Sequence, residues 1–372
     1  MKLEGLFRRS ALLSAMVLSF LVTATGWSQK LIWLGTLGGD WSAAFGVSAD
    51  GRVVVGGADN AAGQRRAFRW TAAGGMQDLG TLSGIWSVAN GVSADGLVVV
   101  GNAQNTAEQV RAFRWENGVM QDLGTLGGPW SVALGVSADG RVVVGGADNA
   151  AGQRRAFRWE NGVMRDLGTL GGRESVALGV SADGAVVVGR ADNAVGWSRA
   201  FRWTAALGMR ELGTLGGPRS WAFGVSADGA VVVGEAENFA GWSRAFRWTA
   251  ALGMRELGTL GGPHSGAFGV SADGSVVVGW AENADWQQRA FRWTLSSGIE
   301  DLNITYANLL TPVSVLSAAE AISPDGRYIV GVGYNAATDR LEAFLLDTIP
   351  EPASLLALGM GLAGLALRPR KR

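Results

Sequence analysis

The 372-residue chain has no cysteine and a single histidine. Without cysteine there are no disulfides, no thiolate nucleophiles and no Cys-ligated zinc. Any Ser-His-Asp arrangement would have to use His264. Proline is scarce at 8 residues, and the middle of the chain lacks long windows of helical periodicity, which excludes helical solenoids. An excess of either charge is also missing, since Lys plus Arg and Asp plus Glu number 32 each. No global field draws the chain to nucleic acid or to an anionic membrane surface. In contrast, glycine is abundant at 57 residues and 48% of the chain is hydrophobic. That mixture suggests strands joined by tight turns, with enough apolar residues for a large core.

The strands repeat. Ser-Ala-Asp-Gly recurs with its Asp at positions 50, 95, 139, 183, 228 and 273, and Ser323-Pro324-Asp325-Gly326 continues the series. The spacing is 44 or 45 residues until the last interval of 52, a period that signals an array or a propeller. Four strands are expected in each unit; in the first they are Ala43 to Ser48, Arg52 to Ala58, Arg66 to Thr71 and Met76 to Leu82. Asp-Gly between two apolar runs is a hairpin signal, and Pro324 suits the second position of a type I turn. The last unit stops after three strands, whereas residues 30–37, "KLIWLGTL", form the end of a unit that has no beginning. Joining the two predicts an all-β fold, a seven-bladed β-propeller of four-stranded blades over residues 30–348. The N-terminal strand completes the last blade, and closure leaves no open edge.

The two ends read as addresses. Residues 1–26 have Lys2, Arg8 and Arg9 ahead of a 12-residue apolar run, Ala11 to Val22, and then small residues. This is the pattern of a secretory signal peptide. Residues 349–372 hold Pro350, Glu351 and Pro352, then 15 apolar or small residues and a basic end, Arg368, Arg370, Lys371 and Arg372. The order closely resembles the PEP-CTERM sorting signal of Gram-negative bacteria. The resemblance implies an exosortase-type processing enzyme as partner, transient insertion in the inner membrane, and delivery to the cell surface or the extracellular space. A 15-residue helix reaches only about 22 Å, which suits a temporary anchor better than a permanent one. Gly359-Met360-Gly361-Leu362-Ala363-Gly364 inside this tail spells a dinucleotide fingerprint, but no βαβ unit surrounds it, so no nucleotide cofactor is expected. The repeats themselves, with "RAFRW" and "DLGTLGG", resemble the bacterial extracellular HAF-repeat family, although Arg66 and its counterparts stand where that family has His. That likeness implies a secreted repeat protein and carries no activity.

Residues common to every unit are expected to build the scaffold. Asn60, Asn105, Asn149, Asn193, Asn238, Asn283 and Asn335 suit turns after the second strand. The acids before Leu-Gly, such as Asp78 and Asp122, are expected to meet third-strand arginines such as Arg69 and Arg114. Function is sought where the units differ. Trp41, Trp86 and Trp130 fall between units early in the chain, and later units carry Glu174, Arg219 and His264 there. Later units gain Trp197, Trp242 and Trp286 after the second strand, and Trp221 nearby. On one face of the ring such a set would stack against sugar rings, plausibly of an extracellular polysaccharide. The competing reading makes each Trp a filler of the seam between units. No catalytic residue and no metal site are expected, because His264 sits in a variable position and no calcium-loop spacing occurs. Glu174, Glu235 and Glu237 are the carboxylates an alternative polysaccharide hydrolase or lyase would use on the same face. The expected function is therefore a non-catalytic binding or scaffold role.

Overall fold

The computed structural model describes residues 29–348. The expected leader, residues 1–26, and the sorting tail, residues 349–372, lie outside the described residues. Among them the chain forms five four-stranded antiparallel sheets and one eight-stranded sheet. The first repeat shows the plan, with strands Gly38–Val47, Val53–Asn60, Arg65–Thr71 and Gly75–Asp78 in sequential order. In the eight-stranded sheet this repeat adjoins the last one, Val315–Ile322, Tyr328–Asn335 and Arg340–Asp347, through a single parallel bridge from Trp41 to Leu341.

Turn chemistry sets the hairpins. In the first repeat Ser48 Oγ donates to Asp50 Oδ1 at 2.8 Å and accepts the Val53 N–H at 3.0 Å, while Gly51 at φ +69° takes the left-handed position. The same bonds recur in every later repeat, for instance from Ser93 to Asp95 at 2.6 Å. Hydrogen bonds from Ser93 and from the Leu97 backbone hold the Asp95 carboxyl below its ordinary range. The second strands begin with apolar, fully buried residues, as in Val54 and Val55, because neighbouring sheets cover both faces there.

The third and fourth strands depart from expectation at one end. The fourth strand runs from Gly75 to Asp78 and not on to Leu82, because Asp78 Oδ1 accepts the Gly80 N–H at 2.7 Å and Gly80 turns at φ +82°. The expected pairing of Asp78 with Arg69 is also overturned. Asp78 lies directly opposite Phe68, so it shares a face with Phe68 and Arg66, and Arg69 points the other way. Arg66 Nε stands 3.9 Å from Asp78 Oδ2, and Arg155 repeats the pair with Asp166 at 3.7 Å. Arg69 and Arg114 instead reach carbonyls of the next repeat, Gly96 at 3.3 Å and Gly140 at 3.2 Å.

Closure follows the split unit. Lys30–Trp33 pairs antiparallel with the strand Arg340–Asp347, setting Ile32 against Leu345 and Trp33 against Phe344. Beside it Gly51 meets the Tyr328 ring so closely that a Cβ on Gly51 would stand 2.5 Å from it. The long 52-residue interval holds a one-turn helix, Leu302–Thr305, and a short 3-10 turn, Ala307–Leu309. Their Leu302 and Tyr306 are buried against the last repeat.

Candidate functional site

Six of the junctions between repeats are stitched by a serine that the sequence reading passed over, and before the last repeat Asn303 Oδ1 accepts the Leu316 N–H at 2.7 Å instead. Ser131 Oγ donates to the Gly124 carbonyl at 2.6 Å and accepts the Ala112 N–H of the preceding repeat at 2.9 Å. Ser87, Ser175, Ser220 and Ser265 do the same, and Ser42 accepts the Ala343 N–H across the closing junction at 2.8 Å. A signal was present, since a serine follows each early tryptophan in register.

Around the axis runs a channel of 460 Å³ lined by the inner strands of all repeats. Phe45, Leu134, Phe223 and Phe268 face it, and Glu320 of the last repeat is its one charged lining residue. Burial alone pushes the Glu320 carboxyl up to about 7. At one turn face Ala49, Ala94, Ala138, Ala182 and Ala227 each donate a backbone N–H to the next repeat, and Ala272 donates to the Pro324 carbonyl at 2.8 Å. Pro324 has no N–H to pass on.

The tryptophans do not form one set. Trp41, Trp86 and Trp130 lie inside the first strands Gly38–Val47, Ser83–Val92 and Gly127–Val136, not in loops as expected, because the chain re-enters the sheet at Gly38 and its counterparts. They are half-buried. The Arg65 guanidinium covers the Trp41 ring at 3.5 Å, and Arg154 covers Trp130 at 3.6 Å. Asp59 holds Arg65 in place at 2.7 Å. Trp221 sits mid-strand in Gly216–Val225, where its Nε1 donates to Ser198 Oγ of the preceding repeat at 3.2 Å.

Trp197, Trp242 and Trp286 behave differently, being 44%, 37% and 64% exposed in the turns after the second strands of three successive repeats. Asn193 Oδ1 and Asn238 Oδ1 accept the N–H groups of Trp197 and Trp242 at 3.0 and 3.1 Å, as the turn reading of those asparagines requires. Phe239 at 92% and Val195 add to the same exposed group. His264 meets the Trp242 ring edge-on at 5.2 Å, and its backbone N–H donates to Glu282 Oε2 at 3.2 Å. The two turn types lie at the same end of the sheets, as the bridge from Leu37 to Asn60 shows. Of the three carboxylates singled out in the sequence, Glu235 and Glu237 line one cleft, and Glu174 is exposed on the first strand of another repeat. Among the described residues no group of three or more His, Cys, Asp or Glu could hold a metal.

Residues 348–371 match the PEP-CTERM protein-sorting motif. The motif is a recognition signal for exosortase-type processing and indicates export through the membrane to the cell surface or extracellular space. No curated protein matches the chain. Among solved structures it is similar to the β-propeller domain of the Trilobed protease from Pyrococcus furiosus, with 9% identity, 84% of this chain and 97% of that one covered, and a TM-score of 0.54. It is more loosely similar to TolB from Acinetobacter baumannii, at 12% identity, 76% of either chain and a TM-score of 0.47. Putative TolB from Agrobacterium tumefaciens gives 14% identity, 84% and 90% coverage and a TM-score of 0.41. The Pyrococcus likeness shows a β-propeller fold alone, and the TolB likenesses add nothing to it.

Proposed function

We propose that the chain is an exported, non-catalytic β-propeller of seven blades that binds an extracellular polysaccharide through exposed tryptophans on one sector of its turn face. Seven blades follow if the eight-stranded sheet is divided at its single Trp41 to Leu341 bridge. The observation that carries the binding reading is the exposure of Trp197, Trp242 and Trp286 in equivalent turns of three successive repeats. A globular surface rarely spends three indoles on water without a partner. Trp197 and Trp242 hold the same turn position and Trp286 stands one residue earlier, so an indole recurs about once per repeat, which suits a ligand that itself repeats. Trp41 and Trp130 belong to the seams in this reading, since their ring faces are already taken by Arg65 and Arg154. The likeness of the repeats to HAF units and the sorting motif both fit a protein that works outside the cell.

The test is retention of the mature protein on bacterial exopolysaccharide. Trp197→Ala, Trp242→Ala and Trp286→Ala should each weaken retention by about fivefold, the loss of one stack of roughly 1 kcal/mol, with the melting temperature unchanged. Trp130→Ala should do the reverse, lowering stability by roughly 3 kcal/mol and leaving retention intact at temperatures where the variant stays folded. Retention that ignores the three exposed tryptophans would refute the reading.

A further inference from the structure

The junctions differ at one paired position. Across the first two strands of six repeats it holds Ala43 with Gly57, Val88 with Asn102, Val132 with Gly146, Val176 with Arg190, Trp221 with Glu235 and Gly266 with Trp280, and of these Glu235 alone is an acid. The repeat after Glu235 carries Gly266 at the place of Trp221, and a Cβ there would stand 2.9 Å from Glu235 Oε2 and 2.8 Å from Trp280 Nε1. Glycine alone leaves room for the carboxylate. Beside it is a cleft of 240 Å³ lined by Arg219, Ser220, Trp221, Glu235, Glu237 and Ser243. Arg219 Nε lies 3.3 Å from Glu237 Oε1, so one of the two acids has its counter-charge within the cleft. Among the described residues no cation is a partner of Glu235, which Ser243 hydrogen-bonds. Burial, opposed by that hydrogen bond and aided by the negative charge of Glu237, pushes its carboxyl up to about 7. The next residue before Ser243 is Trp242, so the cleft adjoins the exposed tryptophans.

An indole wall, a hydroxyl and a carboxylate without a counter-ion together recognise a cation carried on a compact ring. A neutral sugar would leave the carboxylate buried without a charge partner, and an acetylated amine is bulkier and brings no charge. We propose that this cleft binds the protonated amine of an amino sugar, so that the polysaccharide recognised is a hexosamine polymer with free amines. This rests on the carbohydrate reading above and narrows it. Binding requires Glu235 as the carboxylate and the sugar nitrogen as the ammonium, so near neutrality the proton that Glu235 gives up is matched by the one a free amine takes up. The other titratable groups of the cleft and its rim are Arg219 and Glu237 from the same repeat, and His264 and Glu282 from the next.

The experiment compares three oligosaccharides on the exported chain: fully de-acetylated glucosamine oligomers, their fully N-acetylated counterparts, and a neutral glucan of equal length. At pH 7.5 the amine-bearing oligomer should bind at least tenfold tighter than the other two. The preference should vanish at pH 5 and in Glu235→Gln, and the loss at pH 5 should persist in His264→Gln. Gln keeps the size of the side chain and resembles the protonated acid, so the variant should fold, which its melting curve checks. Trp242→Ala should weaken all three sugars alike. Equal binding of the amine-bearing and acetylated oligomers overturns the inference and leaves the sugar platform standing. So does a preference that survives Glu235→Gln, or a pH 5 loss that disappears in His264→Gln. Binding of none of the three removes both the platform and the cleft.

Discussion

A serine hydroxyl used twice is the smallest unit of this architecture. Ser131 bonds the Gly124 carbonyl and the Ala112 N–H, the second of them buried between repeats. Ser131→Ala should cost roughly 1 to 3 kcal/mol, because a buried N–H loses its acceptor. Urea unfolding measures it, and a cost below about 0.5 kcal/mol would show that the stitch is dispensable. The two buried acids act on stability in the opposite sense from most carboxylates. Glu235 and Glu320 are both raised to about 7 from an ordinary 4.5, so the folded chain holds these protons better than the unfolded one. Stability should therefore fall as the pH rises from about 5 through 7, by up to about 1.4 kcal/mol per pH unit for each group. Glu320→Gln should flatten that slope, and an unchanged slope in denaturation across this range would contradict the assignment. Neither acid could be assigned this way from sequence. Whether a carboxylate is desolvated depends on what the neighbouring repeat places against it, and for Glu235 that is the missing side chain of Gly266.

At the scale of the element, periodicity and turn residues were legible and register was not. Alternation in "RAFRWT" correctly separates Phe68 from Arg69, and Asp-Gly correctly marks the hairpins. The partner of Asp78 could not be read, because the face of the fourth strand depends on which residue it opposes. The aromatic turns show the same limit. Trp41 and Trp286 look alike in a sequence, yet one lies under Arg65 and the other projects from a turn. The closing strand is the element with the sharpest consequence. Deleting Lys30 to Trp33 leaves the edge of Arg340–Asp347 unpaired, and Ile32, Trp33 and Leu34 no longer pack against the last repeat. Loss of cooperative unfolding, or aggregation, is the expected result. Appending a "MQDLGTL" strand after Leu346 should restore it. A deletion variant that melts cooperatively near the parent temperature would show that the strand is ornamental.

For the whole molecule, sorting and folding meet. Replacing Pro350, Glu351 and Pro352 with alanine should leave a longer, membrane-retained chain in an exosortase-bearing host, because the processing site is lost and the apolar run remains. Normal processing and release of that variant, followed by fractionation and immunoblot, would count against exosortase recognition. The propeller itself was legible as a whole because the repeat announces each sheet and the split unit announces the closure. The exposed tryptophans were less so, since exposure on the turn face emerges only when neighbouring repeats are in place. One consequence concerns time. Lys30 to Trp33 leave the ribosome early, but their partners Phe344 to Asp347 are made at the far end of the propeller, just ahead of the sorting tail. Until the final repeat has crossed the membrane the first strand has nothing to pair with, and the nascent sheets wait as an unfinished arc. The clasp can shut only once the last repeat has been delivered, so closure comes late, with the sorting tail alone still to follow.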